Sequence, residues 1–493
     1  MTPRSLVRTA VLFVTVPLFV GSTAARLTAQ VPFQRVEISV NAGDVKLVGD
    51  LDLDGTADVI LGGSRGEDLN WYHYPDWTRT RIAVPTVEFT TDGDIGDLDG
   101  DGDLDLVVPD GSGTNNLVWF RNPTIDVGGA PGNPFSSSAW QRLVIGSMGS
   151  WCKDVEIADY DGDGEVDVAA RSNTVLRVFF QTSGAWSSVD MVTGALGREG
   201  LATGDLDRDG NLDFVVRGRW LRNPGSTSAR TPAAWSEHVI DATRVDVDFK
   251  AFVADIDGDQ FPDVLFSSSE NTADIAWYRH GGDPTATWSR QVIEASVNRA
   301  HTLQVADVDN DGDADVVSGR MHTSTSPGIR IYFNQNGRGT SWAVQVVDQQ
   351  FGIHNGVVAD LGGDGDVEIV GSNWTGNPPL QFWENRTPQS DHVLSVPDLA
   401  AGSTHALFVT HATPLAPVAL CLTARGVTNP YPVPGLGVQF ALLDPLLLGV
   451  AGAGGNGAAS FEMALPPGLA GLTIWLQSLE MGRTSAAESR TIR

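Results

Sequence analysis

The chain has 493 residues and carries 61 acidic against 32 basic side chains, a formal charge of −29. Such an excess disfavours nucleic acid and anionic membranes as partners, because both are polyanions, and it points instead to a cation. With Cys152 and Cys421 as its only cysteines, the chain is not a disulfide-stapled mini-domain, and one bridge or two free thiols both stay open.

The N-terminus, MTPRSLVRTAVLFVTVPLFVGSTAARLTAQ, sets Arg4 and Arg8 before an apolar run from Ala10 to Val20, followed by small residues around Ala25 and Ala29. That order is the layout of a secretory signal peptide over residues 1–29, with the mature chain starting near Gln30. The apolar run falls short of the roughly 20 residues that span a bilayer. An exported protein is expected, secreted, periplasmic or held at the cell surface, with no membrane span once the signal is removed.

After a first strand-like segment, FQRVEIS (Phe33–Ser39), the chain repeats itself. The pattern D-x-D-x-D-G-x-x-D starts at Asp50, Asp97, Asp159, Asp205, Asp255, Asp307 and Asp360, at spacings of 46 to 62 residues. A short strand-like segment precedes each copy, as in DVKLVG or HTLQVA, and a β-branched run follows, as in DVILGG or DFVVRG, so the loop joins two strands. Two further strand signals lie downstream: an aromatic segment such as NLVWFRNP, RWLRNP, IAWYRH or QFWENRTP, then an alternating one such as WQRLVIG or WSEHVID. Four strands per repeat is the blade of a β-propeller, which hides sheet edges by radial repetition. Seven copies predict an all-β, seven-bladed propeller over residues 33–388. The last copy lacks a fourth strand while FQRVEIS is surplus, so the N-terminal strand is expected to complete the last blade beside Phe382 and Trp383.

Two carboxylates about 4 Å apart repel by roughly 4 kcal/mol at an effective dielectric of 20, so four in one tight loop need a cation. Hard oxygens at alternating positions, with a glycine for the sharp turn, suit Ca²⁺. The last carboxylate comes at position 9 and strands flank the loop, which excludes the helix-flanked EF-hand and dockerin loops. The ligand sets are Asp50, Asp52, Asp54 and Asp58; Asp97, Asp99, Asp101 and Asp105, with the Asp103 carbonyl and Gly102 as the turn residue; and Asp159, Asp161, Asp163 and Asp167. They continue with Asp205, Asp207, Asp209 and Asp213; Asp255, Asp257, Asp259 and Asp263; and Asp307, Asp309, Asp311 and Asp315. The fifth copy has Gln260 at the glycine position, a cost if that residue needs φ > 0. The seventh keeps Asp360 and Asp364 but has Gly362 and Glu368 at the other two positions, so its site is weaker or empty. Up to seven structural calcium ions are expected.

Residues 391–493 are acid-poor and rich in Gly, Pro and Leu, with strand signals HALFVTH, VALCLTA and LTIWLQS. They predict a small β-sandwich-like C-terminal domain.

The repeated DxDxDGxxD together with the WF(R)NP segments resembles the FG-GAP/VCBS repeat family, the propeller of integrin α-subunit heads and of many secreted bacterial proteins. The resemblance covers Phe33 to Pro388. It implies calcium loops between the first and second strands on one face of the disc and ligand recognition on the other. The residue six before each loop then stands near the mouth of the central channel: Asp44, Thr91, Lys153, Glu199, Phe249, His301 and His354, with Asp92, Asp154, Lys250 and Asn355 adjacent. Such a ring is a candidate polar pocket for a sugar or an additional transition metal.

RAHTLQVADVDNDGDADV and IHNGVVADLGGDGDVEIVG are also similar to the propeller of aldos-2-ulose dehydratase-type lyases, although no cupin-like half follows and Lys153 stands where a histidine is expected. His301 and His354, with Glu199, would be the acid/base or metal-binding residues of such an enzyme. The sequence favours the other reading, a non-enzymatic module that binds an extracellular protein or glycan. GGSRG at Gly62–Gly66 matches G-x-S-x-G in letters only, since no helix follows. NWT at Asn373 and NRT at Asn385 match the glycosylation acceptor.

Overall fold

The computed structural model describes the chain from Gln30 onward, apart from residues 64–67, 84–88, 90–91, 112–113, 127–128, 245–247, 364, 387–392, 398, 411–416, 426, 434–437, 443–444, 453–458, 481–482 and 485–487. The expected signal peptide, Thr91, Asp364 and the boundary drawn between residues 388 and 391 lie outside the described residues.

Seven four-stranded antiparallel sheets follow one another from Phe33 to Asn385. Their innermost strands are Val45–Gly49, Asp94–Gly96, Cys152–Ala158, Leu201–Gly204, Phe249–Ala254, Ala300–Ala306 and His354–Ala359. Each of these touches the next, and His354–Ala359 touches Val45–Gly49, so the ring closes into a seven-bladed propeller. Every acidic loop joins the first strand of a blade to its second, as expected.

The second strands read as continuous apolar runs because both their faces are covered. Asp105–Asp110 is buried at every residue, and so is Asp58–Gly62. Successive side chains point to opposite sides of a sheet, so Ile60 packs between blades one and two while Val59 and Leu61 pack between blades seven and one. The apolar clusters accordingly sit between neighbouring blades, one at each of the seven junctions. The third-strand tryptophans Trp71, Trp220, Trp277 and Trp383 are fully buried in them. These aromatics are core, not a sugar-stacking platform.

The ring is clasped by its two ends. Phe33–Glu37 pairs antiparallel with Gln381–Asn385, placing Val36 opposite Phe382 and Arg35 opposite Trp383. A polar stitch reinforces the junctions: side-chain amides at the end of the third strand or just past it donate to the loop of the preceding blade. Asn122 reaches the Leu51 carbonyl at 2.8 Å, Gln181 that of Leu98 at 2.8 Å, Asn223 that of Tyr160 at 2.8 Å, Asn334 that of Ile256 at 2.9 Å and Asn385 that of Val308 at 3.1 Å. Asn385 thus serves inside the fold, and Asn373 is buried with its amide on the Thr375 and Asn377 carbonyls. Neither presents the exposed amide a glycan would need, which corrects the acceptor reading of both motifs.

C-terminal to the propeller, Val393–Ser395, Thr404–Thr410 and Ala459–Ala464 form one sheet. Leu446–Gly452, Pro417–Thr423, Thr473–Glu480, Arg483–Thr484 and Glu488–Thr491 form another. Leu407 and Val409 of the first share a core with Val418, Leu420 and Leu476 of the second, a sandwich-like packing. Cys152 and Cys421 are both buried and form no disulfide. Among the described residues no helix is long and apolar enough to cross a membrane.

Candidate functional site

The acidic loops share one set of bonds. The first aspartate turns the chain back on itself by accepting backbone N–H groups of positions 5 and 6. Asp50 takes Asp54 and Gly55 at 3.0 and 2.9 Å, and Asp307 takes Asp311 and Gly312 at 3.0 and 2.9 Å. The ninth residue is buried and ties the loop to the sheet. Asp105 accepts from Leu98 and Asn122 at 3.1 and 2.7 Å, Asp213 from Leu206 and Asn223 at 3.0 and 2.7 Å, and Asp315 from Val308 and Asn334 at 3.0 and 2.8 Å. Glu368 does the same with Leu361 at 2.9 Å. The turn residue at position 6 has φ between 73° and 100° in all seven loops, and Gln260 adopts 73°.

What remains for a cation are the outward carboxylates of positions 3 and 5. The Oδ1 of Asp52, Asp161, Asp207, Asp257 and Asp309 is buried without a hydrogen-bond partner, the same atom in five loops. Protein cations occupy the other oxygens of several loops. Arg121, at the end of its third strand, pairs with Asp99 and, at 3.1 Å, with Asp101. Arg222 pairs with Asp207 and, at 2.7 Å, with Asp209, and Arg279 pairs with Asp257 at 2.5 Å. In blade one His73 stands in that place, its Nε2 donating to Asp52 at 2.7 Å while Nδ1 faces the Tyr74 carbonyl at 3.1 Å. Burial works most strongly against its charge, but the Asp52 bond together with the Asp58 charge and the Tyr74 carbonyl outweighs this, and its pKa is raised. Blade three has Phe180 there, and Arg230 crosses from blade four, over the Phe180 ring, to reach Asp161 and Asp163. Blade six has the apolar Phe333, and among the described residues no ion pair reaches Asp307, Asp309 or Asp311. Burial, reinforced by neighbouring carboxylates, pushes Asp309 up to about 7 and Asp105, Asp263 and Asp315 up to about 8.

At the opposite end of the innermost strands a cavity of about 290 Å³ lies on the propeller axis. Lys46, Asp92, Asp154, Lys250, His301 and Asn355 line it, with Asp94, Glu156, Thr203 and Gln304 beyond them. Glu199, just before the first strand of blade four, is 1% exposed and stands 3.1 Å from His301 Nε2 and 3.5 Å from Lys250 Nζ. Gly200 must follow it, since at φ 110° a Cβ would stand 2.7 Å from the Phe249 carbonyl oxygen. His301 stacks on His354 with ring centroids 3.7 Å apart, and His354 Nδ1 faces Asp44 at 3.3 Å. Arg171 and Lys250 flank Asp154 at 3.0 and 3.8 Å.

Charges this deep shift one another. Burial alone would raise Glu199, yet His301, Lys250 and Lys153 outweigh it and hold its carboxyl well below the usual range. His354 is pushed well below the ordinary histidine value by burial, then by His301 and Lys46. Burial also lowers Lys46 to about 8 and raises Asp92 to about 7. Glu156 rises well above the carboxylate range through burial and the nearby Asp94, Asp92 and Asp154. The structure therefore brings together Asp44, Glu199, His301 and His354 from the expected ring. Phe249 is the correction: it is fully buried and packs edge-on against Phe266, so it is core rather than part of the polar mouth.

The FG-GAP-like repeat matches residues 50–108, 97–170, 159–216 and 255–318. The chain carries FG-GAP-like repeats along these stretches. Each matched stretch runs from one acidic loop through the next, and the departing loop at Asp360 falls outside all four. No curated protein matches the sequence. Among solved structures the chain is similar to the biofilm matrix protein Bap1 of V. cholerae, at 13% identity and a TM-score of 0.36, over 94% of this chain and 71% of that one. It is also similar to a mutant of AofleA from Arthrobotrys oligospora, at 12% identity and a TM-score of 0.35, over 64% of this chain and 89% of that one. No functional reading below rests on these two likenesses.

Two features of the FG-GAP-like repeats escaped sequence reading. The arginines of WFR, WLR and WYR stood in the quoted segments, and their common place at the last residue of the third strand was the available signal. Position 4 of each loop also has positive φ, from 56° at Asn310 to 73° at Gly100. Glycine there in four of seven copies was the signal.

Proposed function

We propose that the chain is an exported, calcium-stabilised propeller that binds an extracellular glycan at its channel mouth. The observation that carries this is the mouth itself: buried charges from several blades converge on one polar cavity, although a scaffold alone would fill those positions with apolar side chains. A cavity of about 290 Å³ stands at the small end of ligand pockets. Its lining mixes donors and acceptors, as a polyhydroxylated ring requires, and its carboxylates outnumber its lysines, which disfavours anions.

The loops fit Ca²⁺ in their donor set. They offer hard carboxylate oxygens, and the repeated orphan Oδ1 of position 3 supports a cation as the missing partner. Asp307, Asp309, Asp311 and Asp315 of blade six would hold the ion best, as no arginine competes there. Bound to the folded chain alone, each ion contributes about 2.7 kcal/mol at a hundredfold excess over its dissociation constant.

One observation favours an enzyme instead: the 3.1 Å approach of His301 Nε2 to Glu199 is the geometry of an acid/base pair. Both groups are 1% exposed, which favours binding over proton transfer to a substrate. Glycan-array binding of the calcium-loaded protein, compared with a Lys46→Ala, Asn355→Ala double variant, tests the reading. Binding of neutral glycans that the double variant loses supports it; equal binding by both proteins contradicts it.

A further inference from the structure

We propose that Glu199, Glu270 and His301 form a divalent transition-metal site at the channel mouth, separate from the calcium loops. One ligand atom from each of the three lies within 4.8 Å of the others. Three blades supply them: Glu199 precedes the first strand of blade four, Glu270 lies in the turn after Asp263–Ser268 of blade five, and His301 is in Ala300–Ala306 of blade six. His301 Nε2 is 3.1 Å from a Glu199 oxygen and 4.0 Å from a Glu270 oxygen. Metal bonds to nitrogen and oxygen of about 2.0–2.2 Å put two ligands of one ion about 3 Å apart at a right angle and at most about 4.2 Å apart when opposed. Both separations fall within that window.

The second observation is what surrounds the imidazole. Nδ1 lies 3.0 Å from the Asn355 side-chain oxygen, an acceptor, so Nδ1 carries the proton. At the other end of the ring Nε2 faces two carboxylates. Nε2 is buried with no hydrogen bond of acceptable geometry, in a residue 1% exposed, and Glu199 Oε2 is in the same condition. Lys250 Nζ, 3.5 Å from Glu199 Oε2, offsets part of this negative charge, and a divalent ion between Nε2 and the two carboxylates would give both buried atoms a partner. The Asn355 bond is also the outer contact that fixes the tautomer of metal-binding histidines. Imidazole with carboxylates suits zinc or manganese, whereas the all-oxygen loops suit calcium. Zinc enters from the Glu270 side, which is 27% exposed.

The inference shares its location with the glycan reading but not its outcome. Equilibrium dialysis of the full-length protein against zinc, in millimolar calcium that saturates the loops, reads it directly. One equivalent of zinc is expected, with affinity lowered at least tenfold in His301→Ala and in Glu270→Gln, while Asp309→Asn lowers only the calcium count. Glu270 sits in a surface turn, so its variant tests the site even where His301→Ala unfolds. Absence of retained zinc in the parent protein, or zinc held unchanged by Glu270→Gln, overturns the inference. Glycan binding measured on zinc-free protein keeps the two readings apart: it can persist without zinc, and zinc can bind where no glycan does.

Discussion

At the loop end of the innermost strands the same carboxylates recur in blade after blade, tied to the backbone by the same bonds. At the mouth end, equivalent positions hold Asp44, Lys153, Glu199, Phe249, His301 and His354, no two neighbouring blades agreeing until the last pair. The difference separates what every blade needs from what only the assembled ring can offer. A hairpin clip has to be present in each repeat, so it repeats. A ligand site on the axis is made once, from unlike residues, so repetition would spoil it.

The largest effect is expected from a change that both regions share. Deleting residues 31–37 removes the clasp on Gln381–Asn385 together with Val31, Phe33 and Val36. At about 1.5–3 kcal/mol for each apolar side chain fully buried, with Val31 buried and Phe33 and Val36 half-buried, the loss is roughly 3–6 kcal/mol. A denaturant midpoint equal to that of the parent chain would mean the ring closes without it.

Next in size is a mouth-specific change. Arg171→Leu strands the buried Asp154, and breaking such a pair costs about 3–5 kcal/mol, toward the lower end here because Lys250 remains 3.8 Å away. Its effect should be the same with and without calcium, whereas that of Asp309→Asn should vanish in chelator. Calcium sensitivity of the Arg171→Leu loss would blur the two regions into one.

A pH effect is confined to the loops. Without metal, Asp105, Asp263 and Asp315 titrate near 8 in the folded chain, against about 3.9 when unfolded. The folded state then binds more protons between these values, so chelated protein should lose stability as pH rises from 5 to 8. Saturating calcium should flatten the profile; melting curves at both pH values decide. Gln260→Gly is the mildest test, relieving a φ of 73° and raising stability by about 1 kcal/mol. A destabilised variant would show that Gln260 contributes more than its backbone costs.

Legibility followed the same division. The blade count, the loops and the closing strand could be read because repetition multiplies a weak local pattern and its one exception, the surplus FQRVEIS, stands out. The mouth was half legible: counting back from each loop found Glu199, His301 and His354 but included Phe249, since register gives position along a strand and not the face a side chain takes. Glu270 could not be found that way, because it comes from a turn between second and third strands, a place no repeat pattern marks.

The central claim is that the loop end is a cation-dependent scaffold. Thermal unfolding of the full-length chain in calcium and again in excess EGTA tests it most directly. The account predicts a fall of the melting temperature on chelation, restored by added calcium and reduced in Asp309→Asn. A melting temperature unmoved by EGTA would contradict it, leaving the arginines and protons as the only partners the aspartates have.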